Sequence, residues 1–311
     1  MNAKSAATDI DQVPIGTAPI VEARSESILS TWVSSMACLA CITIYICLAT
    51  RNNTNSWATL KQFGYLPADS IWGGQYWALI TSVFVHMALW HVAFNVYWLW
   101  ALGSRLERAI GSFSFLTFFL TSAFVSSSYQ LGTSGTTGIG ASGVVYAIFG
   151  FMWLTRGRYQ LFEEVLDQRT ILIFVVWLFG CLAATIFDVW QVGNAAHFSG
   201  LLFGCCVATV FVMKRAFAIP ILGGVFAISV VVLFWCPWSI TWLQTKAYDS
   251  HKAGRYQDAI EQYTRIIHLA PQNVWALRNR SYAYQALGEN VKAEIDLEMA
   301  RKIDPNIEKS P

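Results

Sequence analysis

The run Gly140-Ala-Ser-Gly-Val-Val-Tyr-Ala-Ile-Phe-Gly-Phe-Met-Trp-Leu154 decides the fold of this chain, because it contains no charged residue and sets Ser142 near the start of an apolar stretch. A second apolar stretch, Ala195 to Met213, carries His197 within Asn194-Ala-Ala-His-Phe-Ser-Gly200. Polar and ionisable groups at bilayer depth are costly and usually face a protein cavity. A hydroxyl and an imidazole on two separate apolar stretches therefore predict a nucleophile and its base inside a membrane, and hydrolysis there.

Composition agrees with that setting. Of 311 residues 55% are apolar and 13% charged, against roughly 25% charged in a soluble domain. The net charge of +2 comes with no basic tract, so nucleic acid is not an expected partner. All seven cysteines lie in apolar segments and none in the polar ends, which argues against disulfides and a zinc site. The first 27 residues carry Asp9, Asp11, Glu22 and Glu26 and no apolar core. They read as a polar tail rather than a cleaved signal, leaving the first span to direct membrane insertion.

About 20 apolar residues cross a bilayer as a helix. Seven candidates follow: Ile28 to Thr50, His91 to Leu106, Phe113 to Leu131, Gly140 to Leu154, Ile171 to Phe187, Ala195 to Met213 and Phe217 to Trp238. Arg105 and Arg108, then Arg156, Arg158 and Arg169, then Lys214 and Arg215 occupy alternate gaps, whereas the other gaps hold Arg51 and Lys61. Lys and Arg gather on the cytoplasmic side of short loops, which puts the N-terminus inside the cell, Ser142 toward the outer face of the cell membrane, and the C-terminus outside. Pro220 and Gly223-Gly224 interrupt the seventh stretch; were it not to cross, the C-terminal domain would be cytoplasmic. The gap from Arg51 to Trp90 holds Trp57, Trp72, Tyr76, Trp77 and Trp90 and reads as an interfacial loop anchored in the headgroup layer by its rings.

From Trp242 the pattern becomes that of soluble amphipathic helices with a period of 34: Gly254 recurs as Gly288, Ala259 as Ala293, Tyr263 as Leu297 and Pro271 as Pro305. The spacing resembles the tetratricopeptide repeat. Only two repeats are legible where a solenoid usually needs three or more, so contact with the membrane domain or with another chain is expected to complete the fold. Such repeats imply a surface for a peptide or protein partner, or a passive stabilising cap.

Four clusters mark the membrane part: His86-Met-Ala-Leu-Trp-His91-Val-Ala-Phe-Asn95, Gly103-Ser-Arg-Leu-Glu107, Gly140-Ala-Ser142-Gly143-Val-Val-Tyr146 and His197-Phe-Ser-Gly200-Leu-Leu-Phe-Gly204. A lone Gly-Ala-Ser-Gly in an apolar helix is more often a packing site than a nucleophile. In this order and spacing the clusters resemble the rhomboid intramembrane serine proteases, over Trp77 to about Met213. The seventh stretch and the repeats look like an elaboration of that family. The expected fold is all-α: a polytopic transmembrane bundle over 28–214 with six core spans, one more span over 215–238, and a small soluble helical repeat domain over 244–306.

A serine hydroxyl is a weak nucleophile until a base within hydrogen-bond reach takes its proton, and His197 is the only histidine in a later span. Gly140 and Gly143 flank Ser142 and allow close backbone approach. Tyr146 lies one turn beyond Ser142 on the same helical face, and Gly200 and Gly204 give the His197 helix a smooth packing strip. His91 and Asn95, four apart, share a face near the outer end of the second span. The resemblance implies that Tyr146 stacks on His197, that His91, Asn95 and the Ser142 N–H form an oxyanion hole, that His86 is structural, and that Ser142 and His197 work as a dyad without metal or cofactor. Asp188 then stays outside the site. Substrates would be transmembrane helices, cut near the outer face where the helix unwinds to expose its carbonyls. The family commonly carries Trp-Arg where this chain has Trp77-Ala78, so the packing of that loop is expected to differ. A catalytically inactive rhomboid-like binding protein and a membrane-anchored repeat adaptor are the competing readings.

Overall fold

The computed structural model describes residues 31–51 and 53–306, so the polar tail and Ile28 lie outside the described residues. The described residues form helices and no strand. In chain order these are α1 (Trp32–Ala49), α2 (Leu89–Ile110), α3 (Ser112–Ser134), α4 (Ser142–Thr155), α5 (Gln168–Ile186), α6 (Asn194–Val212) and α7 (Ala218–Phe234). They are followed by α8 (Ile240–Lys252), α9 (Tyr256–Leu269), α10 (Val274–Ala286) and α11 (Asn290–Ile303).

Each expected apolar stretch is one helix, but they differ in how a bilayer could treat them. By length and composition α1, α5 and α6 can cross on their own, and α2 qualifies together with Ala78–Phe84, from which it is bent by 103°. Helix α4 has only 14 residues, and Gly143 to Met152 are all buried. It is jacketed by protein, so lipid thickness does not set its length. Apolar surfaces turn outward on α1, with Met36, Leu39, Ile42 and Ile46, on α5, with Leu172, Ile173, Val176 and Phe179, and on α7, with Ile219, Ile221, Ile228 and Phe234. Exposed apolar faces of this extent suit a hydrocarbon surround.

Close contact between α4 and α6 is the centre of the bundle. A Cβ on Gly200 would strike the carbonyl oxygen of Gly143, one on Gly204 that of Ala147, and one on Gly150 would lie 2.6 Å from the Leu201 carbonyl oxygen. Small residues every three or four positions let the two backbones touch where no side chain would fit.

The segment before α2 is more structured than a ring-anchored loop. It forms short helices at Trp57–Gln62, Ala68–Trp72 and Ala78–Thr81. Trp72 is buried and its indole donates to the Val232 carbonyl at 3.1 Å, while Trp57 and Trp77 stay half exposed. Ala78, next to Trp77, is fully buried with Leu66, Ile71, Leu79 and Leu131 against Val232 and Leu233 of α7. An apolar contact with α7 therefore packs this loop.

Pro220 does not break α7, because it sits in the first turn, where a helix has no use for its missing N–H. Beyond α7, both ends of α10 and α11 lie 34 residues after those of α8 and α9. Gly254 and Gly288 make the turns at φ +72° and +77°. Arg280 reaches across these helices, its guanidinium donating to both carboxylate oxygens of Asp296 at 2.7 Å and to Thr264 at 3.0 Å.

Candidate active site

Ser142 is the first residue of α4, and no side chain caps that end. The first amide to find a carbonyl one turn back is Val145, 2.9 Å from Ala141 O. A helix leaves its opening N–H groups without internal partners and its N-terminus partly positive, so the backbone around Ser142 is predisposed to receive negative charge.

His197 stands in the first turn of α6, held against α4 by the glycine contacts. Its Nε2 lies 2.8 Å from Ser142 Oγ, the separation at which a hydroxyl proton can pass to an imidazole. The ring is buried, and among the described residues Nδ1 has no protein hydrogen-bond partner. Tyr146 covers one side of it, with ring centroids 4.8 Å apart and planes tilted by 36°. The Tyr146 hydroxyl donates to Phe174 O of α5 at 3.0 Å, fixing the phenol.

His91 and Asn95 enter from the start of α2 and line the same cavity of ≈ 450 Å³ as Ser142 and His197. The Asn95 amide nitrogen donates to His91 O at 3.0 Å; an amide carries two N–H bonds, so one remains for another acceptor. Gly140 is excluded from bearing a side chain twice over: its φ is +97°, and a Cβ would sit 2.8 Å from His91 Nε2 and 3.1 Å from His86 Nε2. Gly143 is equally confined, since a Cβ would lie 2.6 Å from Ser126 Cβ. His86 is fully buried behind His91, with its Nδ1 3.2 Å from Phe84 O and the two rings 4.9 Å apart. His86 and Gly200 support the cavity wall, and the other seven predicted residues form it. Asp188 lies apart, with φ +54° and its carboxylate accepting from Gln191 Nε2 at 2.8 Å.

Two groups escape the sequence reading. Gln130 Oε1 accepts the Ala196 amide at 3.1 Å, capping the opening turn of the His197 helix; a glutamine after Ser126-Ser127-Ser128-Tyr129 in an apolar stretch was the available signal. Trp90 and Trp190 meet edge to face, 4.9 Å between centroids, and both line the cavity. They are 100 residues apart in the chain, and no local pattern pairs them.

Residues 73–214 match the Rhomboid domain family. The chain is also 32% identical over 175 residues to the protein named rhomboid protease GlpG from Salmonella paratyphi A, and equally to that from Salmonella typhi. Each alignment takes in 55% of this chain, which spans 59% of the length of the relative. The domain match and these relatives support the rhomboid family for residues 73–214, the stretch that supplies every candidate site residue.

Proposed function

We propose that the protein is an intramembrane serine endopeptidase that cleaves transmembrane-helix substrates with Ser142 as nucleophile and His197 as general base. The single observation that carries this reading is the 2.8 Å approach of His197 Nε2 to Ser142 Oγ, in a cavity also lined by His91 and Asn95. Ser142 Oγ attacks the scissile carbonyl carbon as its proton moves to His197 Nε2. Charge on the carbonyl oxygen is taken up by the Ser142 N–H, His91 and Asn95. The imidazolium then returns its proton to the leaving amine, and water, deprotonated by the same nitrogen, hydrolyses the ester. Tyr146 keeps the imidazole in place through both halves, and His86 backs His91.

The proposed setting is a multi-pass protein of the cell membrane with Ser142 toward the outer face. In support, Arg156 and Arg158 lie beyond the opposite end of α4, where they donate to Leu166 O at 3.1 Å and Val212 O at 2.8 Å. Helices α8 to α11 are proposed to be tetratricopeptide-like repeats on the Ser142 side, with a peptide or protein as their partner. The recurrence of both helices after 34 residues favours this.

Labelling of the detergent-solubilised protein with a fluorophosphonate tests the reading. Label on wild type that is lost in Ser142→Ala and His197→Ala is the expected result. A folded wild type that takes no more label than Ser142→Ala overturns it and leaves a binding-only protein.

A further inference from the structure

The segment Gly135-Thr-Thr-Gly-Ile-Gly-Ala141 leads from α3 to Ser142 and, from Thr136 to Gly140, lines the cavity. It has no regular structure of its own, and Gly135, Gly138 and Gly140 take φ of +71°, +76° and +97°. Apart from the Gly140 amide, which donates to Ser82 O at 3.4 Å, a chain of this kind is placed by what holds its ends. One end is the first turn of α4; the other is the C-terminus of α3.

That C-terminus is gripped by the junction between α7 and α8, outside the matched rhomboid stretch. The last carbonyls of a helix have no partners within it. Here Gly132 O receives the Trp238 indole N–H at 2.9 Å, with Cys236 Sγ 3.5 Å away. The junction is itself anchored, since Trp72 Nε1 donates to Val232 O in the last turn of α7 at 3.1 Å. Thr241, in the first turn of α8, packs so tightly on Gly135 that a Cβ there would strike its Oγ1.

We infer that Trp238 and Thr241 are positioning residues for the proposed hydrolytic site: they fix the 135–141 segment and through it the Ser142 amide and hydroxyl facing His197. The inference rests on the function proposed above and adds that the first repeat helix is mechanically part of the site. The C-terminal third is then no detachable accessory.

The test uses the full-length protein in detergent and three variants: Trp238→Phe, which keeps a smaller aromatic ring and removes the donor, Gly135→Ala, and Gly135→Ala combined with Thr241→Gly. Hydrogen exchange of amides 135–141 reads the brace without requiring activity, and the rate of fluorophosphonate labelling at Ser142 reads the site. In Trp238→Phe exchange rises in 135–141 while α9 to α11 stay as in wild type, and labelling slows about three- to tenfold, the worth of one hydrogen bond. Gly135→Ala slows labelling further, and Thr241→Gly restores part of it, which a general loss of stability would not allow. Unchanged exchange in Trp238→Phe overturns the inference, as does faster exchange with an unchanged labelling rate. Faster exchange in a protein whose wild type takes no label supports the brace and overturns the hydrolytic reading, so the two failures are distinct.

Discussion

The carboxylate of Glu107 accepts the Ser34 amide at 2.8 Å and the Ser34 hydroxyl at 2.7 Å, and takes the Val33 amide at 3.0 Å as well. Glu107 is fully buried, and α1 has no side-chain cap of its own at Thr31. A residue of α2 thus supplies the N-terminal cap of α1 and sets a negative charge at its positive end.

Glu107→Ala therefore leaves two buried amides unpaired and is expected to cost about 3 kcal/mol, read as a lowered midpoint of thermal unfolding in detergent. Glu107→Gln keeps one acceptor oxygen and should lose less. Equal midpoints for wild type and Glu107→Ala would rule out this cap as a source of stability.

A second prediction separates glycines by what surrounds them. Gly204→Ala drives a Cβ into the Ala147 carbonyl oxygen, a backbone atom that cannot swing aside. The strain, about 1–3 kcal/mol, must push α6 from α4, and with it His197 from Ser142. Gly223→Ala is the control: nothing lies within 4 Å of its Cβ, and alanine is the better helix former by about 0.5–1 kcal/mol. Gly204→Ala should lower both the midpoint and Ser142 labelling, while Gly223→Ala lowers neither; similar behaviour of the two would contradict the interlocked α4–α6 contact.

The repeats should respond to acid. Burial holds the His251 imidazole below its ordinary value, and Nδ1 lies 3.2 Å from the Tyr263 hydroxyl. The unfolded chain takes up a proton near pH 6.5 that the folded repeats resist. Stability from this group is then full above that pH and declines as pH falls toward the folded value. Limited proteolysis within 240–306 should be faster at about pH 5.5 than at about 7.5, and His251→Gln should narrow the difference. A wild type insensitive to this change would count against the effect.

Much of this was legible in the sequence because it is local or periodic. Seven apolar stretches became seven helices, the 34-residue spacing became two matching helix pairs, and glycines beside Ser142 and His197 marked where backbones touch. The contacts that escaped are long-range ones between single residues. Trp72 reads as one more interfacial ring until α7, 160 residues away, is seen to offer it a carbonyl. Pro220 and Gly223-Gly224 looked like a break because the sequence does not say how far into its helix the proline falls. Gln130 resembles Trp72 in this: the glutamine stands out in its apolar stretch, but its partner is a distant backbone group, the Ala196 amide, which leaves no trace in residue identity.

The proposed oxyanion site yields the sharpest kinetic expectation. Asn95 is almost wholly buried and His91 packs on Gly140, so truncating either removes a donor without opening the Ser142–His197 pair. One donor aimed at developing negative charge is typically worth about 3 kcal/mol, or roughly a hundredfold in rate. Asn95→Ala should therefore cut kcat on a transmembrane substrate by about that factor with little change in KM, because the carbonyl oxygen gains its charge only in the transition state. His91→Ala should do the same, with an added cost if His86 shifts into the space left. The double variant should fall short of the product of the two effects, since donors sharing one oxygen are coupled. A rise in KM at unchanged kcat would instead assign Asn95 to substrate binding and remove it from the oxyanion site.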